Sequence, residues 1–436
     1  IADKYDKGYG HFTTRQNIQF NWPKLTDVPK ILEELSEVEM HAIQTSGNCI
    51  RNISSDHFAG ICDDEVQDPR PWCEIIRKWS TFHPEFSFLP RKFKIAVTGS
   101  NTDRAAIKFH DIGLKIVKYK NDIGFEVFVG GGQGRSPYVA KQINNFVKQK
   151  DLLNYLEAIL STYNELGRRD NIYKARIKIL VHELGIEKFK ELVEINFLKF
   201  KDKRLSLDIE FINKTKDFFK LPNLKIKEKS VSFPEDIDFN NWLMRNVVKH
   251  KIKGYSVVLI SLKENGKPPG DATSNQMRKI ATISKEFSFS EIRVTHEQNL
   301  VLPHIENSKL SEVWRKLKES GLATPNLGFI SDTICCPGMD YCALATARSI
   351  PISNKISKKY EDFNNQNDIG NLKIKISGCI NACGHHHVGN IGILGLERNG
   401  QESYQLTLGG SADENASIGE VLGPSFQEDK LMQAIE

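Results

Sequence analysis

The sequence has 436 residues, of which 39% are hydrophobic and 26% are charged, and its formal net charge is +5. This length predicts two or three domains, and the composition is typical of a soluble globular chain. No run of about 18 apolar residues occurs, which argues against a transmembrane helix, and no secretory signal is visible. Nucleic-acid binding is also disfavoured, because no basic block with interleaved aromatic residues is present.

The predicted elements follow the hydrophobic pattern, with apolar residues at helical spacing in each predicted helix. In chain order they are a helix near 28–35, a strand at 89–95, a glycine-rich turn at 130–134, helices through 137–220 (clearest at 151–160), a buried strand at 256–261, a turn at 268–271 and a helix near 310–317. The chain starts at Ile1 instead of Met, so we expect further residues before it.

The sequence repeats itself once over a long distance. Residues 14–20 (TRQNIQF) and 296–302 (HEQNLVL) are similar, and each segment precedes a predicted helix. Two more pairs of segments lie at nearly the same offset, namely 89–95 with 371–376 and 128–131 with 407–410. Three matches at nearly constant spacing predict two related halves about a pseudo-twofold axis, although similar strand–helix patterning by coincidence is the alternative.

Four of the eight cysteines form two close pairs, Cys336-x5-Cys342 and Cys379-x3-Cys383. Four thiolates in two pairs are what a 4Fe–4S cluster needs, with one ligand for each iron. Zinc also takes four thiolates, but it favours two-residue spacers within tight knuckles. The longer spacers, with Pro-Gly and Ser-Gly turns beside them, favour a cluster over zinc or unligated core cysteines. Eight cysteines in so long a chain do not indicate a disulfide framework, and a thiolate-ligated centre fits a reducing cytoplasm.

The sequences around these cysteines, CPGMDYC at 336–342 and SGCINACG at 377–384, resemble the motifs of the sulfite and nitrite reductase hemoproteins. The resemblance covers nearly the whole chain, from Tyr9 to about Gly410. It implies that all four cysteines hold a 4Fe–4S cluster and that Cys383 also bridges to the iron of a siroheme. It further implies an α+β fold, internally duplicated, with ferredoxin-like half-domains and two larger α/β domains.

The same resemblance implies an order of domains along the chain. These are a first ferredoxin-like half-domain at 1–43, a first siroheme and substrate domain at 44–243, a second ferredoxin-like half-domain at 244–325 and an iron–sulfur and siroheme domain at 326–436. Siroheme is expected at the interface of these domains. The family has a further strand before Tyr9 that carries another substrate-facing arginine, and we expect that strand, and residues beyond Glu436, outside this sequence.

Cationic residues are the predicted substrate site, because sulfite and the carboxylates of siroheme are anions. The resemblance implies a catalytic role for Arg51, Lys92 and Lys94. It implies cofactor contacts for Arg15, Gln16, Arg91, Gly131, Gln298, Asn299 and Cys383. Strand alternation would put the two lysines on one face, where an anion relieves their repulsion. Taken alone, these residues also fit a solvated strand face and a surface arginine. The three histidines at 385–387 are expected to form a polar loop and not to bind metal.

The function implied by the resemblance is that of an assimilatory sulfite reductase, an oxidoreductase that reduces sulfite to sulfide with six electrons. The alternative is nitrite reduction to ammonia on the same scaffold. Nitrite-type relatives often carry an uncharged residue such as Asn at the position of Lys94, and a second positive charge better suits the dianion sulfite. A non-catalytic iron–sulfur or zinc protein is a further possibility. Because no flavin or nicotinamide fingerprint occurs, an external protein, a ferredoxin or a flavoprotein, is expected to donate the electrons.

Overall fold

The computed structural model describes residues 1–200, 209–226 and 232–436. The chain folds into two compact units. The first consists of Ile1–His41, Asn223–Ser411 and Ser417–Glu436, and the second of Ala42–Pro222 and Ala412–Ala416. Each unit has its own hydrophobic core. In the part of the chain that is described, no helix is long and apolar enough to cross a membrane.

The first unit begins with a short N-terminal segment. Its elements are α1 (Ala2–Tyr5), β1 (Tyr9–Phe12), β2 (Ile18–Gln19) and α2 (Val28–Ser36). Helix α2 confirms the helix predicted near residue 28. Pro29 lies in its first turn, where the missing N–H would have no partner within the helix.

The second unit is built on a five-stranded sheet with helices packed against it. Its elements are β3 (Ser54–Ser55), α3 (Arg70–Ser80), β4 (Ile95–Thr98), β5 (Ile112–Tyr119), β6 (Asp122–Val129), β7 (Lys141–Lys148), α4 (Leu152–Leu166), α5 (Ile177–Leu184), α6 (Ile186–Phe200) and α7 (Ile209–Phe218). The strand order is β3-β4-β5-β6-β7, with the first two pairs parallel and the last two antiparallel. Trp72 of α3 packs edge-on against Phe125 of β6, which joins helix and sheet in one core.

The helical pattern predicted for 137–220 is wrong in its first part, because that part forms β7. The buried residues Ile143 and Val147 of β7 lie four residues apart, which is helical spacing. Residues four apart also lie on one face of a strand, so this spacing does not distinguish the two structures. The pairing of β7 with β6 has register shifts between Phe125 and Phe128. Helix α4 confirms the helix predicted at 151–160, and residues 201–208 lie outside the described part of the chain.

The first unit resumes with a second segment of strands and helices. Its elements are α8 (Ile237–Asn246), β8 (Val247–Lys249), β9 (Tyr255–Ile260), β10 (Asp271–Thr273), α9 (Ser274–Phe287), β11 (Arg293–Val294), β12 (Leu300–Glu306) and α10 (Leu310–Lys318). Strand β9 confirms the predicted buried strand, since all its residues are buried and it lies between β12 and β8. Strand β10 pairs with β1, so the N-terminal segment and this segment share a sheet of order β10-β1-β2.

The C-terminal part of the first unit repeats the sheet of the second unit. Its elements are β13 (Ile334–Cys335), α11 (Ile350–Lys359), α12 (Phe363–Ile369), β14 (Ile374–Ser377), β15 (Ile391–Arg398), β16 (Gln401–Leu408), β17 (Glu420–Phe426) and α13 (Glu428–Ile435). The strand order is β13-β14-β15-β16-β17, again with two parallel pairs followed by two antiparallel pairs. The predicted duplication is therefore present in the topology.

The duplication is also visible in single hydrogen bonds of the repeated TRQN-like motif. Gln16 and Gln298 both have a φ of 59°, in the left-handed region. Nε2 of Gln16 donates to the carbonyl oxygen of Val294 at 3.0 Å, and Nε2 of Gln298 donates to that of Phe12 at 3.2 Å. Phe12 and Val294 hold equivalent positions, so the two motifs contact each other reciprocally, as a pseudo-twofold axis requires.

Candidate metal centre and anion site

The four predicted cluster ligands follow the carboxyl ends of two neighbouring parallel strands. Strand β13 ends directly before Cys336, and β14 ends two residues before Cys379. Cys335 pairs with Ile376, and the N–H of Cys336 donates to the carbonyl oxygen of Ile376 at 3.1 Å. The sheet therefore brings the two cysteine pairs to one edge, where parallel strands commonly present ligands.

Two glycines allow the two cysteine loops to pack closely. A Cβ at Gly378 would lie 2.6 Å from the carbonyl oxygen of Ala347 and 2.8 Å from Cα of Gly338. Gly338 has a φ of 60°, which favours glycine. The N–H of Gly378 donates to Sγ of Cys336 at 3.1 Å. This hydrogen bond stabilises the thiolate, which is the form that binds iron.

The four thiols lie within electrostatic range of one another. Burial raises the pKa of the Cys336 and Cys379 thiols, and the nearby Cys383 thiol acts in the same direction on both. The Cys342 thiol adds to the raised pKa of Cys379. Crowded, buried thiols of this kind ionise when a cationic centre compensates their charge. Cys383 is the exposed member of the four.

The spacing of these donors distinguishes a cluster from a single ion. Over the described residues, no group of three or more His, Cys, Asp or Glu side chains is close enough to hold one metal ion. Zinc would need its four ligands around one point. A 4Fe–4S cube takes one thiolate for each iron and therefore spreads its ligands more widely. Four thiolates in two pairs fit a cluster that takes one ligand for each iron.

The glutamine and asparagine of the second repeated motif support the cysteine strand. Gln298 and Asn299 are each 1% exposed. The amide of Gln298 accepts the N–H of Cys335 at 2.8 Å and donates to its carbonyl oxygen at 2.9 Å. The amide of Asn299 accepts from Nζ of Lys263 at 2.9 Å and donates to Oδ1 of Asp332 at 3.1 Å. Both amides therefore position backbone and side chains within the protein, and their contact with a cofactor stays a prediction.

The first repeated motif lies against the last cysteine. Oγ1 of Thr14 donates to the carbonyl oxygen of Cys383 at 2.9 Å. Arg15 and Gln16 follow directly in the sequence, and both are partly exposed. The structure thus places them close to the cysteine loop, while their contact with siroheme carboxylates stays a prediction.

The histidines after Cys383 differ from the expected polar loop. His386 is 1% exposed, and burial together with the neighbouring His387 lowers its pKa to about 3. In the other half of the duplication, the equivalent position is the buried Ile107. His386 is thus part of the interior, and the expectation that these histidines do not bind metal stays a prediction.

In the second unit, Arg51 and the predicted lysine pair lie on neighbouring extended segments. The N–H of Arg51 donates to the carbonyl oxygen of Phe93 at 2.7 Å, and Phe93 forms a parallel bridge with Ile50. Phe93 is fully buried, whereas Lys92 and Lys94 on either side of it are partly exposed. The predicted alternation of these side chains is therefore observed.

The prediction that both lysines lie inside a strand is wrong, because β4 begins only at Ile95. The N–H of Lys94 donates to Oδ2 of Asp111 at 2.8 Å. This backbone donor is therefore bound to a side chain and does not pair with a neighbouring strand. Asp111 also accepts from Arg176, whose Nη2 lies 2.7 Å from Oδ1 and 2.8 Å from Oδ2. A buried carboxylate thus joins the lysine segment to a second cation.

Lys178 is a further cation of this region. Its Nζ donates to the carbonyl oxygens of Gln133 and Ser136, at 2.7 and 2.6 Å. Burial, followed by the charges of Arg176 and Lys92, lowers the pKa of Lys178 to about 8. Arg176 and Lys178, at the start of α5, were not predicted as site residues; in the sequence they stand out as two cations on either side of the apolar Ile177.

Arg51 is coupled to these cations by its charge. Burial lowers its pKa, and the charges of Arg91 and Arg176 act in the same direction. Its guanidinium donates to the carbonyl oxygens of Thr45 at 2.6 Å and Gly47 at 3.1 Å. We call the linked residues the cation cluster: Arg51, Arg91, Lys92, Arg176 and Lys178. Repulsion among these charges is relieved when an oxyanion binds between them.

Gly131 has a packing reason for being glycine. A Cβ there would lie 2.3 Å from the carbonyl oxygen of Lys108 and 2.7 Å from that of His110. Its equivalent in the other half, Gly410, is crowded in the same way by two carbonyl oxygens of the neighbouring loop. The glycine is therefore explained by the backbone alone, and its contact with a cofactor stays a prediction.

Comparison with protein families assigns this architecture. The model of the nitrite and sulphite reductase 4Fe-4S domain matches residues 46–200 and 329–436. The model of the nitrite/sulfite reductase ferredoxin-like half domain matches residues 1–38 and 266–320. The first model alone covers more than half of the chain. The chain therefore belongs to the nitrite and sulfite reductase family, as its cysteine motifs predict.

Individual relatives bear names from both branches of the family. The chain is 26% identical to "Sulfite reductase [ferredoxin] 1" of Mycolicibacterium paratuberculosis, covering 97% of this chain and 71% of that protein. It is 27% identical to "Ferredoxin--nitrite reductase, chloroplastic" of Arabidopsis thaliana, covering 100% of this chain and 71% of that protein. The solved structure of the Mycobacterium tuberculosis NirA protein matches with a TM-score of 0.81 at 25% identity, covering 100% of this chain and 75% of that chain.

These matches confirm the predicted fold class, an internally duplicated α+β fold. They also confirm the predicted enzyme class, since the family consists of oxidoreductases that reduce nitrite or sulfite. The cofactors of the family are a 4Fe–4S cluster and siroheme, and the four thiols of the first unit fit the cluster.

Proposed function

We propose that this protein reduces sulfite to sulfide, with nitrite reduction to ammonia as the second candidate. The observation that carries the proposal is the cation cluster with Lys94 beside it. Two lysines flank Phe93, and two further cations are held next to them through Asp111 and the 133–136 loop. Near neutral pH sulfite is a mixture of a monoanion and a dianion, whereas nitrite is a monoanion, so sulfite gains more from several neighbouring positive charges.

The proposed division of roles follows from the residues. When bound, the cluster and siroheme would pass on the electrons of the external donor and would supply the iron chemistry of the reduction. Arg51 and Lys92 bind the oxyanion through charge-assisted hydrogen bonds. Lys178, with a pKa of about 8, exchanges a proton at Nζ near neutral pH and is suited to deliver protons to the reduced substrate. Cys336, Cys342, Cys379 and Cys383 hold the cluster.

The electron donor and the compartment belong to the same proposal. Relatives named sulfite reductase [ferredoxin] and ferredoxin–nitrite reductase support a ferredoxin as the donor. Four thiols without disulfide bonds fit a reducing compartment, so we place the enzyme in the cytoplasm.

The test is steady-state turnover of sulfite and nitrite with a reduced viologen as artificial donor. A higher kcat/KM for sulfite supports the proposal. The variant Lys94→Asn should lower kcat/KM for sulfite more than for nitrite, because the loss of one charge weakens a dianion more. A wild-type preference for nitrite, retained in Lys94→Asn, would replace sulfite by nitrite as the substrate and leave the cofactor assignment intact.

A further inference from the structure

A cavity of about 590 Å³ opens within the first unit beside the cysteine loop. Its wall includes several titratable side chains: Tyr9, Glu264, Lys267, Asp271, Glu319 and Tyr341. Tyr341 directly precedes the cluster ligand Cys342. The side chain of Asp271 is 10% exposed, so this carboxylate is nearly buried at the edge of the cavity.

Asp271 is paired with a buried histidine. His11 of β1 and Asp271 of β10 are directly opposite each other in the antiparallel ladder. Nδ1 of His11 lies 2.7 Å from Oδ1 of Asp271, and the His11 side chain is 4% exposed. This pair takes no part in the metal site or in the cation cluster.

Hydrogen bonds orient the His11 imidazole between Gln298 and Asp271. Nε2 of Gln298 lies 3.1 Å from Nε2 of His11. The same amide accepts the N–H of Cys335 through its oxygen, so its nitrogen faces the histidine as a donor. That nitrogen also donates to the carbonyl oxygens of Phe12 and Cys335, so its two N–H groups have other acceptors. Nδ1 of His11 faces Oδ1 of Asp271, and we assign the imidazole proton to Nδ1, from which it is donated to Asp271.

Asp271 is electrostatically coupled to both residues that adjoin the first cysteine pair. Burial is the main cause of the raised pKa values of Cys335 and Tyr341, and the charge of Asp271 contributes to both. Cys335 precedes the ligand Cys336, and Tyr341 precedes the ligand Cys342. The charge of Asp271 therefore acts on the two residues that directly precede cluster ligands in the chain.

We propose that Asp271 takes up one proton from cavity water for each electron that an external one-electron donor delivers to the cysteine-held cluster, and releases it when the electron leaves. The proposal rests on the proposed function only in assuming that the cluster is present. One electron and one proton enter together, so the net charge of this part of the protein does not change. Reduction of HSO3⁻ to HS⁻ and three H2O consumes six electrons and six protons, so such a coupling would operate at each electron transfer.

The physical reason is mutual repulsion. An electron added to the cluster raises the proton affinity of a nearby carboxylate, and linkage requires that a bound proton favours reduction equally. Burial already raises the pKa of Asp271, although the hydrogen bond from His11 opposes this rise. Asp271 contacts His11 and is electrostatically coupled to Cys335. The other titratable groups of its cavity wall are Tyr9, Glu264, Lys267, Glu319 and Tyr341.

The test is a redox titration of the holoprotein, followed by the electron paramagnetic resonance signal of the reduced cluster, at several pH values and without sulfite or nitrite. In the wild type, the midpoint potential should become more negative as pH rises. Asp271→Asn, which can still accept from His11 but cannot take up a proton, should abolish this dependence. The matched control Glu264→Gln removes another carboxylate from the same cavity wall and should keep it.

The outcomes separate this inference from the proposed function. A pH-independent potential in the wild type, or an unchanged dependence in Asp271→Asn, overturns the inference while the enzyme assignment stands. A protein without a reducible cluster overturns the proposed function instead. If Asp271→Asn loses its cluster, infrared difference spectra of the wild type decide: reduction must produce a protonated carboxyl band that shifts in D2O, and its absence refutes the inference.

Discussion

We expect Lys263→Met to lower the free energy of unfolding of the first unit by about 3–5 kcal/mol, because it leaves a buried charge without its partner. The side chains of Lys263 and Asp332 are 2% and 3% exposed, and Nζ lies 2.7 Å from Oδ1. Nζ also donates to Oδ1 of Asn299 at 2.9 Å and to the carbonyl oxygen of Glu297. In the variant, Asp332 keeps only uncharged donors, among them the N–H of Gly328 at 3.0 Å.

The assay is equilibrium unfolding in urea, with circular dichroism for the protein and visible absorption for the cluster. The matched control is Lys318→Met, which breaks an ion pair of similar length, 2.8 Å, whose side chains are 52% and 64% exposed. An exposed pair of this kind contributes little to stability, because water screens its charges. The double variant Lys263→Met/Asp332→Leu should recover most of the lost stability, since it removes both charges.

Two results would refute this reasoning. If Lys263→Met destabilises the protein no more than Lys318→Met does, an unpaired carboxylate at Asp332 does not carry the free-energy cost that its burial implies. If the double variant is as unstable as the single one, lost packing and not the unpaired carboxylate is the cause.

Three further predictions concern the two sites. Cys336→Ser should lose the cluster whereas Cys335→Ser keeps it, as measured by iron and labile sulfide content, and equal loss in both would contradict the assignment of the ligand. Gly378→Ala should also lower cluster content, because its Cβ would lie 2.8 Å from Cα of Gly338; normal content would show that the loops can separate freely. Lys178 has a pKa of about 8 through burial, so its ammonium is charged below that pH and neutral above it, and KM for nitrite should rise as pH increases through about 8. Lys178→Arg, which keeps its charge, should not show this rise, and an identical profile would exclude Lys178.

The local features were the ones that the sequence could predict. The cysteine motifs, the two TRQN-like segments and helix α4 depend on residues close together in the chain, and the structure has all three. Strand β7 was mistaken for a helix because Ile143 and Val147 are spaced four residues apart, a spacing that puts two residues on one face of a strand as well as of a helix.

The missed residues depend on contacts between distant segments. Arg176 and Lys178 belong to the cation cluster only because Asp111 and the 133–136 loop hold them there. The Asp271–His11 pair likewise depends on the antiparallel pairing of two strands 260 residues apart. No local spacing encodes such pairs, because the charge of each residue alone is equally compatible with the surface.

The duplication supplies a second set of positions equivalent to the cluster ligands. Strands β3 and β4 correspond to β13 and β14, so the four cysteines correspond in order to Asp56, Cys62, Ser100 and Arg104. Both halves have a glycine directly before the second pair, Gly99 and Gly378. A Cβ at Gly99 would lie 1.9 Å from a carbonyl oxygen of the facing loop, and a Cβ at Gly378 would likewise be crowded by a carbonyl oxygen. The backbone at the ends of the two strand pairs is therefore equivalent in the two halves.

The side chains at these four positions differ between the two halves. Arg104, at the position of the fourth cysteine, donates to both carboxylate oxygens of Asp56 at 3.0 and 2.9 Å, to Oγ of Ser100 at 2.8 Å and to Sγ of Cys62 at 3.2 Å. One guanidinium therefore joins the three other positions by hydrogen bonds, and the side chain of Asp56 is fully buried beneath it. The first unit has four thiols for a cluster at these positions, whereas the second unit has an ion pair at the equivalent positions. Because the backbone is common to both, the identity of four side chains decides which half can carry the metal, and this is why the cysteine motifs were so informative in the sequence.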